Sequence, residues 1–153
     1  MDRLDRHLLA VLAANGRATS VELAQAVHLS PTAVARRQHA LEQAGVIRGY
    51  SAKIDPAAFG LATTVVVQIA LRSQTEGDLA QFEQAVRHCD SVLQCLLMSG
   101  SDDYLLILQV RDLADFERVH KTQLSRLPHI ARIQSSFALR EIVRRPLPGD
   151  LLE

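Results

Sequence analysis

The segment from Ser30 to His39 has residue types and spacing that suit contacts with DNA. Ser30 followed by Pro31 favours a helix start, because the serine hydroxyl can accept a backbone N–H bond and proline has no N–H to leave unpaired. Such a start directs N–H groups towards a phosphate, and side chains one to two turns later can reach base edges in a major groove. We therefore expect DNA contacts from Ser30, Thr32, Ala33, Arg36, Arg37, Gln38, His39 and Arg48.

The distribution of charge favours a nucleic-acid partner more than the total does. The net charge of the 153 residues is zero, whereas neutralisation of phosphates dominates affinity for DNA. Residues 31–53, however, carry four cations and the single acid Glu42, with His39 as a further donor. The basic part of the chain is thus the predicted recognition helix and the segment after it.

Two less specific interpretations stay open from the sequence. Arg36 and Arg37 could form an ordinary solvated helix face, which is the usual role of a charged pair. Gln38 could be partly buried, since Val34 and Leu41, about one turn to either side, are apolar. The sequence therefore does not assign base preferences.

Two further helices are expected to support this one. Apolar residues at helical spacing between residues 4 and 12 predict a first helix, and Gly16 after it can take the left-handed C-cap conformation. Thr19 and Glu22 have the spacing of a capping box, so a second helix should begin near Ser20. Three short helices that share a core, with a tight turn between the last two, predict a helix-turn-helix unit.

The chain changes character after this unit. Residues 48–54 are a glycine-containing extended segment that could form a small wing or a strand. Asp55 precedes Pro56 and therefore avoids the helical region, and Gly60 follows shortly after. These signals predict a winged helix-turn-helix domain over 1–54, a linker over 55–62 and a second module over 63–153.

The second module alternates strands and helices in the order β-α-β-β-α-β. Strands are predicted at 63–71, 92–98, 104–110 and 130–143, and helices at 75–88 and from Asp112 to a point before Pro128. This order is that of a ferredoxin-like fold, which places the whole chain in the α+β class.

The predicted sheet should have an uncovered apolar face. Residues 65–69 and 105–108 have hydrophobic side chains at both odd and even positions and therefore on both faces of the sheet, whereas helices on one side cover only one face. A second copy of the sheet is the economical cover, so we expect at least a homodimer. A two-fold dimer would place two recognition helices on the half-sites of a pseudo-palindromic operator.

Other classes of site lack support in the sequence. Cys89 and Cys95 are too few to staple the chain and are expected to act as small apolar side chains, and the six histidines lack metal-ligand spacing. We therefore expect neither a metal nor a cofactor. The chain has neither an apolar run near the roughly 20 residues of a membrane span nor a signal-peptide pattern, which predicts a soluble, cytoplasmic protein.

Several motifs together resemble one family along nearly the whole chain. They are Leu4-Asp5-Arg6, Asn15-Gly16-Arg17, Leu29-Ser30-Pro31-Thr32, Leu41-Glu42-Gln43-Ala44-Gly45-Val46-Ile47, Gly49-Tyr50, Ser99-Gly100 with Asp103-Tyr104-Leu105-Leu106, and Leu127-Pro128. The chain resembles the Lrp/AsnC family, the leucine-responsive and asparagine regulators. The resemblance implies a winged helix-turn-helix, a ligand-sensing RAM domain, dimers that assemble to octamers, and control of transcription in response to amino acids.

The resemblance also implies an effector site at the turn between the second and third strands of the sheet, at an interface between dimers. A turn with free N–H groups can hold a carboxylate while Asp103 faces an ammonium group. An ordinary hairpin turn rich in Asp and Gly is the alternative. The implied effector residues are Gly100, Ser101, Asp102, Asp103 and Tyr104, with Ser135 and Ser136 from the end of the last strand.

Two other functions share this architecture. The chain also resembles siroheme decarboxylases, which are enzymes, and His120 and His129 would then be the residues to consider. A sensor that no longer binds DNA is the second alternative. The basic helix and the Asp103-Tyr104 turn favour a regulator without catalytic residues.

Overall fold

The computed structural model describes residues 1–148, which form two compact units. Among the described residues, one unit comprises residues 1–54 and 143–148, and the other is Asp55–Ile142. That residues 55–62 act as a linker stays a prediction, and Pro56–Phe59 within them form a short 3-10 helix. The second unit contains the entire sheet.

The first unit has three helices, α1 (Arg3–Ala14), α2 (Ser20–Val27) and α3 (Pro31–Gln43). The starts of α2 and α3 agree with the sequence prediction, because Thr19 and Ser30 accept hydrogen bonds from the N–H groups of Glu22 and Ala33. The three helices share one core, formed by Leu8, Leu12, Leu23, Ala24, Val27, Val34 and Leu41.

Two features of this unit differ from the sequence prediction. Gly16 does not take a left-handed conformation, since α1 ends at Asn15 in an extended conformation. Left-handed backbone occurs instead at His28, where α2 ends with a φ of 54°. Residues 48–54 contain no strand, because the described part of this unit offers no neighbouring strand for them to pair with.

The second unit has the β-α-β-β-α-β order that the sequence predicts, which confirms the α+β class. Its elements are β1 (Thr63–Leu71), α4 (Glu76–Val86), β2 (Val92–Leu97), β3 (Tyr104–Val110), α5 (Leu113–Thr122) and β4 (Ile130–Phe137). The strands form one sheet in the order β2-β3-β1-β4, and neighbouring strands are antiparallel. The loop between β2 and β3 therefore lies at one end of the sheet, next to the end of β1.

The last strand is shorter than predicted. β4 ends at Phe137 and not at residue 143, although Leu139, Ile142 and Val143 beyond it are apolar. The N–H of Ala138 donates to the carbonyl of Thr64 at 2.9 Å, and β1 begins only one residue earlier, at Thr63. Residues after Ala138 thus have no partner left on β1.

Burial alternates along the central strands although their sequences are apolar at both parities. Val65, Val67 and Ile69 are fully buried, and they pack with Phe82, Phe116 and Leu124 from the helical side. We call the opposite side of the sheet the open face. The centre of the open face consists of apolar side chains that are partly or fully exposed, namely Val66, Leu96, Leu105 and Ile107. Four glutamines surround this centre, namely Gln68, Gln94, Gln109 and Gln134.

Residues 1–148 give no evidence of a membrane-spanning helix or of a metal site. No helix there has the length and apolarity to cross a lipid bilayer. No group of three or more His, Cys, Asp or Glu side chains is arranged there to hold a metal ion. Cys89 and Cys95 are free thiols, and burial raises the pKa of both. Cys89 belongs to the apolar core of the second unit.

Candidate nucleic-acid interface and ligand pocket

The orientation of α3 is fixed by its apolar side. Val34 and Leu41 are 0% and 6% exposed and pack against α1 and α2. Because the helix turns about 100° per residue, the opposite side is left to solvent. This exposed face carries Thr32, Ala35, Arg36, His39, Ala40 and Gln43.

The amino-terminal end of α3 is capped as predicted. The Ser30 hydroxyl accepts a hydrogen bond from the N–H of Ala33 at 3.2 Å. The side chain of Ser30 and the N–H of Ala33 are therefore engaged with each other, whereas Thr32 is exposed at the first turn. Anions are favoured at such a helix end by its dipole.

Arg37 does not belong to the exposed face. Its Nη1 lies 2.7 Å from Asp2 Oδ2 and 2.7 Å from Asp5 Oδ1, both at the start of α1. The hydrogen bond to Asp5, followed by that to Asp2, raises the pKa of Arg37. The guanidinium of Arg37 therefore forms its ion pairs within the protein.

Gln38 is partly buried, as the alternative interpretation of its neighbours predicts. Its Nε2 donates to the Tyr50 hydroxyl at 2.7 Å, and that hydroxyl donates to Glu42 Oε1 at 2.8 Å. Partial burial, and then the hydrogen bond to Glu42, raises the pKa of Tyr50. This network holds the extended segment after α3 against the helix.

Of the three arginines that the sequence predicts to contact DNA, Arg36 on α3 and Arg48 after it remain exposed. Neither has an ion-pair or hydrogen-bond partner among residues 1–148, and both side chains are exposed. His39 is also exposed, with its Nδ1 3.8 Å from Glu42 Oε2. The sequence analysis did not select Ala35 and Gln43, although the helical period counted from Val34 and Leu41 places both outwards.

A pocket of about 210 Å³ lies beside the loop between β2 and β3. Gly100, at its turn, has a φ of 144°, which a residue with a side chain rarely adopts. Among residues 1–148, no backbone carbonyl accepts from the N–H groups of Gly100, Ser101 or Asp102. The pocket is lined by Gln68, Met98, Ser99, Gly100, Ser101, Asp102, Tyr104 and Leu105.

Asp102 connects this loop to the open face. Its Oδ1 accepts from Arg132 Nη2 on β4 at 2.6 Å, and its Oδ2 accepts from Gln68 Nε2 on β1 at 3.5 Å. The Ser101 hydroxyl lies 3.4 Å from the same Oδ2. A carboxylate and a guanidinium are therefore in contact at the edge of the pocket, where an anionic and a cationic group could each be bound.

Asp103, the next residue, points to the other side. Its Oδ2 accepts from the N–H of Leu71 at 2.6 Å, and its Oδ1 accepts from Gln74 Nε2 at 2.6 Å. The residue is only 7% exposed. Because Asp103 is buried and does not line the pocket, the structure does not present its carboxylate to an ammonium group there.

The Tyr104 hydroxyl is also directed away from the loop. It donates to Glu83 Oε1 on α4 at 2.9 Å, and its ring stacks on Phe82 with centroids 4.3 Å apart. Burial is the main cause that raises its pKa far above the ordinary value. This hydroxyl faces a separate pocket of about 370 Å³ between α4 and β2.

The end of β4 does not line the loop pocket. Ser135 pairs with Val67 and Ser136 with Val66, so the two serines lie on opposite faces of the sheet. The structure instead brings Gln68 and Arg132 to the loop. Gln68 is the one polar residue in the strand core VVVQIAL, a signal in the sequence that could have selected it.

His120 and His129, the residues considered for a siroheme decarboxylase, contact neighbouring side chains. His129 Nε2 lies 2.9 Å from Gln81 Oε1, and its Nδ1 lies 3.5 Å from Asp78 Oδ1. The His120 ring packs at 6.0 Å from the Phe116 ring. Both residues lie beside the helical layer.

Comparison with known families identifies a transcriptional regulator with a helix-turn-helix domain and a ligand-binding domain. The chain matches the AsnC-type helix-turn-helix domain over residues 1–42 and the Lrp/AsnC ligand binding domain over residues 64–148. It therefore belongs to the Lrp/AsnC family of transcriptional regulators.

Individual relatives agree with this assignment. The chain is 37% identical over 149 residues to the proline dehydrogenase transcriptional activator of Rhodobacter capsulatus, and the match covers 97% of both chains. It is 37% identical over 148 residues to the Bkd operon transcriptional regulator of Pseudomonas aeruginosa, again with 97% of both chains covered. These relatives are regulators, so the siroheme decarboxylase alternative is not favoured.

The fold is shared with a solved regulator. The structure of a transcriptional regulator from Neisseria meningitidis in complex with L-Met matches with a TM-score of 0.92 and 34% identity. The match covers 100% of this chain and 99% of that one. This match agrees with the α+β fold class that the sequence predicts.

Proposed function

We propose that this regulator binds DNA through the exposed face of α3 and binds a free amino acid at the loop pocket. The contact between Asp102 and Arg132 carries the second part of the proposal. An amino acid has an ammonium and a carboxylate group. Asp102 lines the pocket, the Arg132 guanidinium lies 2.6 Å from its carboxylate, and the N–H groups of Gly100 and Ser101 have no backbone acceptor among residues 1–148. The complex of the Neisseria relative with L-Met supports this class of ligand.

The DNA contacts are assigned to side chains on the exposed face of α3 and to Arg48 after it. Thr32 and the first turn of α3 face a phosphate, Arg36 and His39 face the major groove, and Arg48 reaches the backbone after the helix. Ala35 and Gln43 join this surface. Arg37 and Gln38 support the helix from its inner side.

The assembly follows from the open face of the sheet. An apolar centre formed by Val66, Leu105 and Ile107 favours a second copy, and a two-fold dimer presents two α3 helices to a pseudo-palindromic operator. We propose that dimers assemble further to octamers and that the effector shifts this equilibrium. The protein acts in the cytoplasm, without catalytic residues or a cofactor.

The ligand assignment is tested with a panel of the twenty amino acids and Asp102→Asn. Thermal unfolding should shift upwards with at least one amino acid, because a ligand that binds only the folded state stabilises it. Asp102→Asn should abolish that shift, whereas Glu117→Gln on the exposed side of α5 should keep it. An equal shift in Asp102→Asn and the parent would remove Asp102 from the site.

The DNA assignment is tested with a labelled duplex that carries the sequence upstream of the protein's own gene. Arg36→Ala should weaken binding by about 1–3 kcal/mol, the range for a lost contact to a base edge, and leave the slope of log K against log salt unchanged. If Arg36 contacts a phosphate instead, the slope falls by about 0.9. Arg87→Ala, an exposed arginine on the second unit, is the matched control and should change neither quantity. Unchanged binding by Arg36→Ala would overturn the proposed interface.

A further inference from the structure

We infer that Arg37 is a positioning residue, which sets the orientation of α3 through Asp2 and Asp5 and does not contact DNA. The inference rests on the proposed use of α3 as the recognition helix. It assigns opposite roles to two adjacent arginines of the same helix.

The contacts of Arg37 are short and partly shielded from solvent. Its side chain is 30% exposed, and that of Asp5 is 14% exposed. A single nitrogen, Nη1, serves both carboxylates at 2.7 Å. A phosphate that approached Arg37 would therefore have to displace two acids that already neutralise it.

The two carboxylates are themselves held by the start of α1. Asp2 Oδ1 accepts from the N–H of Asp5 at 2.8 Å, and Asp5 Oδ2 accepts from the N–H of Asp2 at 2.9 Å. Each acid thus uses one oxygen to cap α1 and the other to bind Arg37. Because the acceptors are already fixed by the cap, little side-chain entropy is left to lose when Arg37 binds them.

This arrangement controls rotation of the recognition helix. Burial of Val34 and Leu41 sets which side of α3 faces the core, because a large rotation would expose them, and the ion pair restrains the smaller rotations that this packing allows. The ion pair is directional, and Arg36 lies about 100° around the helix from Arg37. Holding Arg37 against α1 therefore keeps Arg36 pointing outwards.

The salt dependence of binding separates a positioning role from a phosphate contact, and Asp5→Asn separates it from a base contact as well. With the same upstream duplex, Arg37→Ala should weaken binding about threefold to tenfold, the range expected from the loss of one or two partly exposed ion pairs. Its slope of log K against log salt should equal that of the parent. A slope reduced by about 0.9, or an unchanged affinity, would overturn the inference.

Asp5→Asn gives a second result whose sign is decisive. Asparagine keeps an oxygen that can cap α1 but loses the charge that holds Arg37. If Arg37 positions α3, Asp5→Asn weakens binding as Arg37→Ala does, and the double variant is no weaker than either single variant. If Arg37 contacts phosphate, Asp5→Asn releases it and strengthens binding, also at salt concentrations that screen distant charges.

Both proposals can be judged from one set of titrations. Arg36→Ala tests the recognition helix. If this variant binds DNA like the parent while Asp5 and Arg37 remain coupled in the double variant, the interface is rejected and the ion pair is only a structural feature. Thermal unfolding of each variant verifies that the protein is folded.

Discussion

Asp102 and Asp103 are consecutive residues whose carboxylates have different partners on different sides of the sheet. Asp102 contacts Arg132 on the open face at 2.6 Å, and Asp103 accepts the N–H of Leu71 at 2.6 Å at the buried end of β1. The family resemblance points to Asp103 as the partner of an ammonium group. The structure supports Asp102 for that role, because only its carboxylate faces the pocket.

This difference predicts different effects of the same substitution at the two positions. Asp103→Asn replaces one acceptor oxygen by an NH2 group beside a buried donor, which should lower the free energy of unfolding by about 1–3 kcal/mol. Asp102→Asn loses an ion pair to Arg132, which is 56% exposed, and should cost less than about 1 kcal/mol. Urea denaturation measures both values. Equal destabilisation would contradict the separation of roles.

The left-handed residue at the turn between α2 and α3 predicts a stabilising substitution. His28 has φ 54° and ψ 45°, a conformation that costs a residue with a side chain roughly 1 kcal/mol. Because glycine adopts it freely, His28→Gly should raise the free energy of unfolding by up to about 1 kcal/mol. His28→Val should lower it. Thermal unfolding of the three proteins gives the order, and a destabilised glycine variant would mean that the His28 side chain has a role of its own.

The acid sensitivity of the second unit should depend on Asp115. The N–H of Arg111, and then the Arg118 side chain, lower the pKa of this carboxyl below its ordinary value. A lowered pKa stabilises the folded state above the unfolded value of about 3.9, and this contribution is lost as the pH falls through the folded value. Asp115→Asn should therefore flatten the loss of stability below about pH 4. Urea denaturation across acidic pH values checks it, with Glu117→Gln as a control that keeps the parent profile.

The open face predicts how the assembly can be broken. Ile107 lies at the apolar centre of this face and pairs with Val66 on β1. An aspartate at position 107 would bury an unpaired charge if a second sheet covers it, so Ile107→Asp should dissociate the assembly while the fold remains. Sedimentation measures the mass. Gln84→Asp, an equivalent change at an exposed position of α4 on the helical side, should keep the parent's assembly, and an intact Ile107→Asp oligomer would place the interface elsewhere.

Much of the fold follows from local patterns. The caps at Thr19 and Ser30 predict the starts of α2 and α3, because capping uses only neighbouring residues. The run at 63–71 predicts β1, and the turn composition after β2 predicts where β3 begins at Tyr104. The end of β4 is different, since it depends on where its partner β1 begins.

The sequence by itself determined the order of elements, the helix caps, the apolar and polar sides of α3 and the position of the loop before β3. Each of these features depends on residues that are close together in the chain. Only the tertiary structure decided that Arg37 pairs with Asp2 and Asp5, that Gln38 contacts Tyr50, and that Arg132 meets Asp102. Those contacts join residues distant in sequence, and a side chain's type does not specify which distant partner the folded chain brings to it. Charge and spacing select candidate residues, whereas packing decides which of them remain available to a ligand.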